Sequence, residues 1–131
     1  MKAHIRPQKP VALVWQPEES LPQWAALAAA CQKAGLTVKK IEKEALPLCV
    51  GQLCDLPGKY QPAAEAAAER FAPALILSGL SDRALDRLLS DLKSAQVNIP
   101  LKAVVTPTSK QWPLQQLLAE LTQEHAAFNP Q

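Results

Sequence analysis

Between Thr106 and Trp112 the chain reads "TPTSKQW", placing three hydroxyls, an ammonium and an indole within one short stretch. A leucine-rich segment with helical spacing follows. The first N–H groups of a helix have no intrahelical partner, and the helix dipole favours negative charge beside them. Hydroxyls and a lysine at that place form a kit for holding a phosphate or carboxylate. The candidate ligand-binding residues are therefore Thr106, Thr108, Ser109, Lys110 and Trp112. A purely structural reading uses most of the same atoms. Thr106 precedes a proline and is biased to the extended form, and Pro107 withdraws a ladder donor and forces a turn. Thr108 and Ser109 suit the cap of the coming helix, and Pro113 fits its first turn. Lys110 and Trp112 are left over, the indole being able to fold back as an apolar lid.

Other reactive side chains do not assemble into a site. Cys49 and Cys54 are spaced neither as a redox pair nor as half of a zinc site, and the two histidines, His4 and His125, lie near opposite ends of the sequence. Cys31 and Cys54 fall at apolar helical positions, where a thiol acts as a small buried hydrophobe. Glu124 and His125 are helix neighbours and point in different directions. Asp82, Asp86 and Asp91 with Arg83 and Arg87 read as a solvated helix face. With four glycines in all, neither a P-loop nor a dinucleotide turn is present, and no nucleophile-elbow serine occurs. No catalytic, metal-binding or cofactor-binding residues are assigned.

The chain has 131 residues, 48% of them apolar and 20% charged, with a net charge of +2. Those values fit one globular domain with its own core and give no strong electrostatic footprint for nucleic acid. Lys33, Lys39, Lys40 and Lys43 cluster, but without interleaved aromatics; lysines on an edge strand also prevent unwanted strand pairing. The first apolar run is too short for a secretory signal or a membrane span. Three cysteines without an export signal point to reduced thiols in the cytoplasm.

Four short runs have strand character. Val11–Trp15 and Ala74–Ser78 are almost wholly apolar, as in strands buried on both faces; Thr37–Ile41 and Leu101–Val105 carry lysines and look like edges. Helical stripes lie at Leu21–Cys31, ended by Ala34-Gly35, at Leu85–Ala95, capped by Ser81, and at Leu114–Leu121 with Phe128 as an extension. Val50–Leu56 and Gln61–Ala72 are shorter helix candidates. The alternation predicts an α/β domain over 10–128, preceded by a flexible arm at 1–9. The fold expected is a four-stranded sheet of two β-α-β-α units, parallel in order 2-1-3-4 with helices on both faces. The alternative is a ferredoxin-like α+β fold in order 4-1-3-2. In the parallel version the loops at 16–20 and 78–82 flank the 106–112 loop. A shift of 64 residues lays the apolar pattern of 11–56 on 75–120, pairing Val11 with Leu75, Trp24 with Leu88, Ile41 with Val105 and Val50 with Leu114. That agreement raises a possible internal pseudo-repeat.

With those elements placed, Pro100, Lys102, Ala103, Thr106-Pro107-Thr108, Trp112, Leu114, Leu117 and Glu120 make the C-terminal segment recognisable. It resembles the bacterial family known as domain of unknown function 3783, most specifically over 99–125. Weaker likenesses occur at 75–89, 34–38 and 50–58. The family pattern often has asparagine at the position of Ser109. The resemblance implies boundaries and a fold but no activity. The expectation is a non-catalytic cytoplasmic domain that contacts a protein partner, a second copy of the chain included, through the loops at the strand carboxyl ends. The alternative is a small enzyme or sensor that holds a phosphorylated or carboxylated metabolite at the 106–112 loop. Nucleic acid and membrane are not expected partners.

Overall fold

A computed structural model describes residues 10–15, 23–67, 71–97 and 99–128, so the expected arm at 1–9 and the 16–20 loop lie outside the described residues. All four expected strands form: β1 (Val11–Trp15), β2 (Thr37–Ile41), β3 (Ala74–Ser78) and β4 (Leu101–Val104). They join one sheet in the order β2-β1-β3-β4. The helices are α1 (Gln23–Lys33), α2 (Val50–Leu53), α3 (Asp82–Ser94) and α4 (Leu114–Phe128).

The order is the one expected, but the sheet is mixed rather than parallel. β1 runs parallel to β2 and β3 parallel to β4, while the central pair is antiparallel, Val11 facing Ser78 and Trp15 facing Ala74. Each parallel pair is built by its own β-α-β crossover, which needs a helix. The connection between the units crosses no such pair and delivers β3 in the opposite direction. Apolar runs on β1 and β3 follow from coverage on both faces, which this arrangement supplies equally well. The ferredoxin-like order is not formed.

Alternation along the strands divides the core. Val11, Leu13 and Trp15 of β1 and Ala74 and Ile76 of β3 pack under α2 and α4, against Val50, Leu114 and Leu118. Ala12, Val14, Leu75 and Leu77 pack under α1 and α3, against Leu27, Cys31, Leu88 and Leu92. Both central strands are buried at every position. The helices α1 and α3 end alike. The Leu36 N–H donates to the Cys31 carbonyl (2.9 Å) and the Val97 N–H to the Leu92 carbonyl (2.9 Å), around Gly35 (φ 83°) and Gln96 (φ 60°). This is the Schellman closure, which needs a left-handed residue just past the helix.

The two units meet over the sheet at an isolated antiparallel bridge between Cys49 and Pro113. There the Val50 N–H donates to the Trp112 carbonyl (2.9 Å) and the Leu114 N–H to the Leu48 carbonyl (2.7 Å). Residues 48 to 50 and 112 to 114 are related by the offset of 64 read from the sequence. At the first strands that offset fails by one residue, because Val11 lies on the α2/α4 face and Leu75 on the other. On the helices it fails by about one turn: Leu27 and Cys31 take the places that Leu88 and Leu92 take in the second unit. The side chain of Trp24 lies outside the described residues.

The expected helix at Gln61–Ala72 does not form among its described residues. Tertiary acceptors hold its N–H groups instead: Ala63 donates to the Pro47 carbonyl (2.8 Å) and Ala67 to Gln115 Oε1 (2.7 Å). Gln115 Nε2 in turn donates to the Glu65 carbonyl (3.1 Å).

Candidate functional site

The 106–112 loop closes on itself. The Thr106 N–H donates to Ser109 Oγ (2.9 Å), the Ser109 N–H donates to Thr106 Oγ1 (3.0 Å), and the Thr106 hydroxyl donates to Ser109 Oγ (3.1 Å). This reciprocal pair has the logic of a capping box and opens a 3-10 turn at Ser109–Gln111. Ser109 is buried. The N–H groups of Lys110, Gln111 and Trp112 donate to the carbonyls of Thr106, Thr108 and Ser109. At the start of α4, Leu114 and Gln115 donate to the carbonyls of Leu48 and Leu46. The donors that would have cradled an anion therefore face protein oxygens. Trp112 is half-buried and packs against the α2/α4 core. Thr108 is exposed, and its side chain caps nothing. Lys110 is half-buried, and its ammonium has no hydrogen-bonding or ionic partner among the described residues.

The mixed topology also puts the carboxyl ends of β1 and β3, expected side by side, at opposite ends of the sheet. Ser78 and Val104 end parallel strands, so the 78–82 turn lies at the same end of the sheet as Thr106. Trp15 ends β1 beside Ala74, at the opposite end of the sheet from Ser78.

The thiols are structural. All three cysteines are free and buried. Burial pushes the Cys31 thiol up to about 11. Burial does the same for Cys54, to about 11, against the Lys39 ammonium and the Ser78 hydroxyl, which lower it. Thiols held neutral in this way are poor nucleophiles and poor metal ligands. Cys49 Sγ donates toward the carbonyls of Gln61 and Gln111, 3.4 Å from each, tying the segment before the second unit to the 106–112 turn. Nearby, the Tyr60 ring lies against Gly51, and its hydroxyl reaches the carbonyls of Leu56 and Pro57 (3.1 Å each). Among the described residues no group of three or more His, Cys, Asp or Glu side chains is placed to hold a metal ion. No helix among them is long and apolar enough to cross a membrane. His125 and the acidic residues Asp82 and Asp86 are exposed.

A feature with no counterpart in the sequence reading lies at the β4 edge. On the α1/α3 face, α1 packs directly on β2, whereas α3 stands off β4 and leaves a groove of about 930 Å³. Leu85, Leu89 and Val104 give it apolar walls, and Lys93, Gln96 and Lys102 give it polar ones. Leu89 is 36% exposed and Val104 43%. The α3 stripe was visible in the sequence, but its outer leucine reads as core unless the helix offset from β4 is known. At the other edge, Lys39 of β2 turns to the Asp55 carboxylate and the Leu53 carbonyl.

The family model described as domain of unknown function (DUF3783) matches residues 73–128. That range runs from the entry to β3 to the last residue of α4, so the match covers the second β-α-β-α unit. The weaker likenesses at 34–38 and 50–58 lie outside the match. No curated protein and no solved structure matches the chain.

Proposed function

We propose that the protein is a non-catalytic interaction domain whose contact surface is the groove between α3 and β4. One observation carries this reading. The two large apolar side chains that stand exposed among the described residues, Leu89 and Val104, line the same groove. Isolated exposed apolar residues need no explanation, whereas apolar side chains gathered in one concavity and rimmed by polar ones are the usual form of a contact site. Buried, free thiols suit a reducing compartment, which supports a cytoplasmic setting. The test is paired affinity purification, from cells that express the protein, with the wild type and with a Leu89→Lys/Val104→Lys variant shown to be folded by circular dichroism. A protein recovered with the wild type and lost with the variant supports the reading. Recovery that does not depend on the groove overturns it.

A second reading, capture of a phosphorylated or carboxylated metabolite at 106–112, draws support from Lys110, whose ammonium has no partner among the described residues. A thermal-shift series with such metabolites tests it: saturation at 100 times the dissociation constant adds about 2.7 kcal/mol of stability. A flat series removes it.

A further inference from the structure

Among the described residues β4 is an open edge as well as one wall of the groove. The N–H groups of Leu101 and Val105 donate to the carbonyls of Pro73 and Leu77 across the β3–β4 ladder. By the alternation of a strand, the N–H and carbonyl groups of Lys102 and Val104 point away from β3, off the sheet. The side chains of the same two residues stand on the groove face. An unpaired edge with an apolar depression beside it is the arrangement that accepts an added strand: main-chain bonds supply affinity and alternate side chains supply specificity.

The groove also dictates what the added strand must carry. α3 follows β3 and returns to the start of β4, so it runs antiparallel to both strands. Leu85 therefore lies toward the Val104 end, and Lys93 and Gln96 toward the Lys102 end. The charged side chains that line the groove, Lys93 and Lys102, are both cations. Neither has an ionic partner among the described residues. On a strand laid along β4, the side chains over Lys102 and Val104 are two positions apart. One must be a carboxylate and the other apolar.

Resting on the groove as the contact surface, we infer that its occupant is an extended segment of a partner protein. The segment pairs with β4 as a fifth strand and presents an acidic and an apolar side chain two residues apart. A second copy of this chain fits less well, because β4 paired with β4 would bring four lysines to one continuous groove and no carboxylate to meet them.

The probe is a capped eight-residue peptide with glutamate and leucine two positions apart in a threonine background, made in both orders. In the complex, hydrogen exchange at the Lys102 and Val104 amides should slow by about tenfold or more, and a peptide with lysine in place of glutamate should bind about tenfold more weakly. Val104→Pro removes one outward N–H and leaves the β3–β4 ladder donors in place; it should weaken binding by a similar factor. Three results overturn the inference. The first is equal binding of the acidic and basic peptides. The second is absence of binding, or binding without slower exchange at those two amides. The third is a concentration-dependent dimer of the wild type, seen by sedimentation and abolished by Val104→Pro, which would make the occupant a second copy. None of these touches the purification result, so a partner lost with the Leu89/Val104 variant would keep the groove reading while ending the strand.

Discussion

Thr106 and Ser109 show how far a residue's chemistry depends on where its neighbours point. Their types fit an anion site and a helix cap equally, and the sequence left both open. The decision came from the reciprocal bonds between them and from two carbonyls, Leu46 and Leu48, supplied by the other unit. Those long-range acceptors leave no mark in the local sequence. Lys110 differs, since nothing in the turn requires its ammonium. The two residues should therefore separate in a stability measurement. Ser109→Ala removes a buried hydroxyl and with it the acceptor of the partly buried Thr106 N–H, and should cost about 1 kcal/mol in urea unfolding. Lys110→Ala should stay within about 0.5 kcal/mol. Equal effects would contradict the structural role given to the hydroxyl pair.

Among the elements, the strands and α3 were legible because each carries a local signal. β1 and β3 are continuous apolar runs, and Ser81 caps α3 by accepting from the Ala84 N–H (3.1 Å). The direction of β3 was not legible. Its burial on both faces is the same whether its neighbour runs parallel or antiparallel, and a long connection can deliver it either way. The segment at 61–67 misled for another reason: its alanines favour a helix, yet Gln115 and Pro47 take its N–H groups. Helix α2 depends on an absent side chain. A Cβ at Gly51 would overlap the Tyr60 ring, so the ring would have to swing out and give up its hydrogen bond. Gly51→Ala should cost about 1 kcal/mol in the wild type, and in a Tyr60→Ala background alanine's better helix propensity should make it neutral or favourable. A cost that persists in the double variant would place the constraint elsewhere.

For the whole molecule, two β-α-β-α units share one sheet through an antiparallel central pair and meet again at the Cys49–Pro113 bridge. A duplicated origin is proposed on the 64-residue correspondence of Leu48–Val50 with Trp112–Leu114 alone. The units are not equivalent at their outer edges. β2 is covered by α1 and carries the Lys39–Asp55 ion pair, while β4 is open beside a groove whose charged walls are both lysines. That asymmetry depends on where α3 sits over the sheet, and apolar periodicity does not record it. The site that the sequence singled out is largely a junction, and the surface proposed for contact lies a few residues before it.

Residue-resolved hydrogen exchange of the protein, alone and with the partner recovered through the groove, measures this most directly. Exchange should slow at Lys102 and Val104 and along the outer side of α3 around Leu89, with 106–112 unchanged. Protection confined to 106–112, with the β4 edge still exchanging freely, would contradict it.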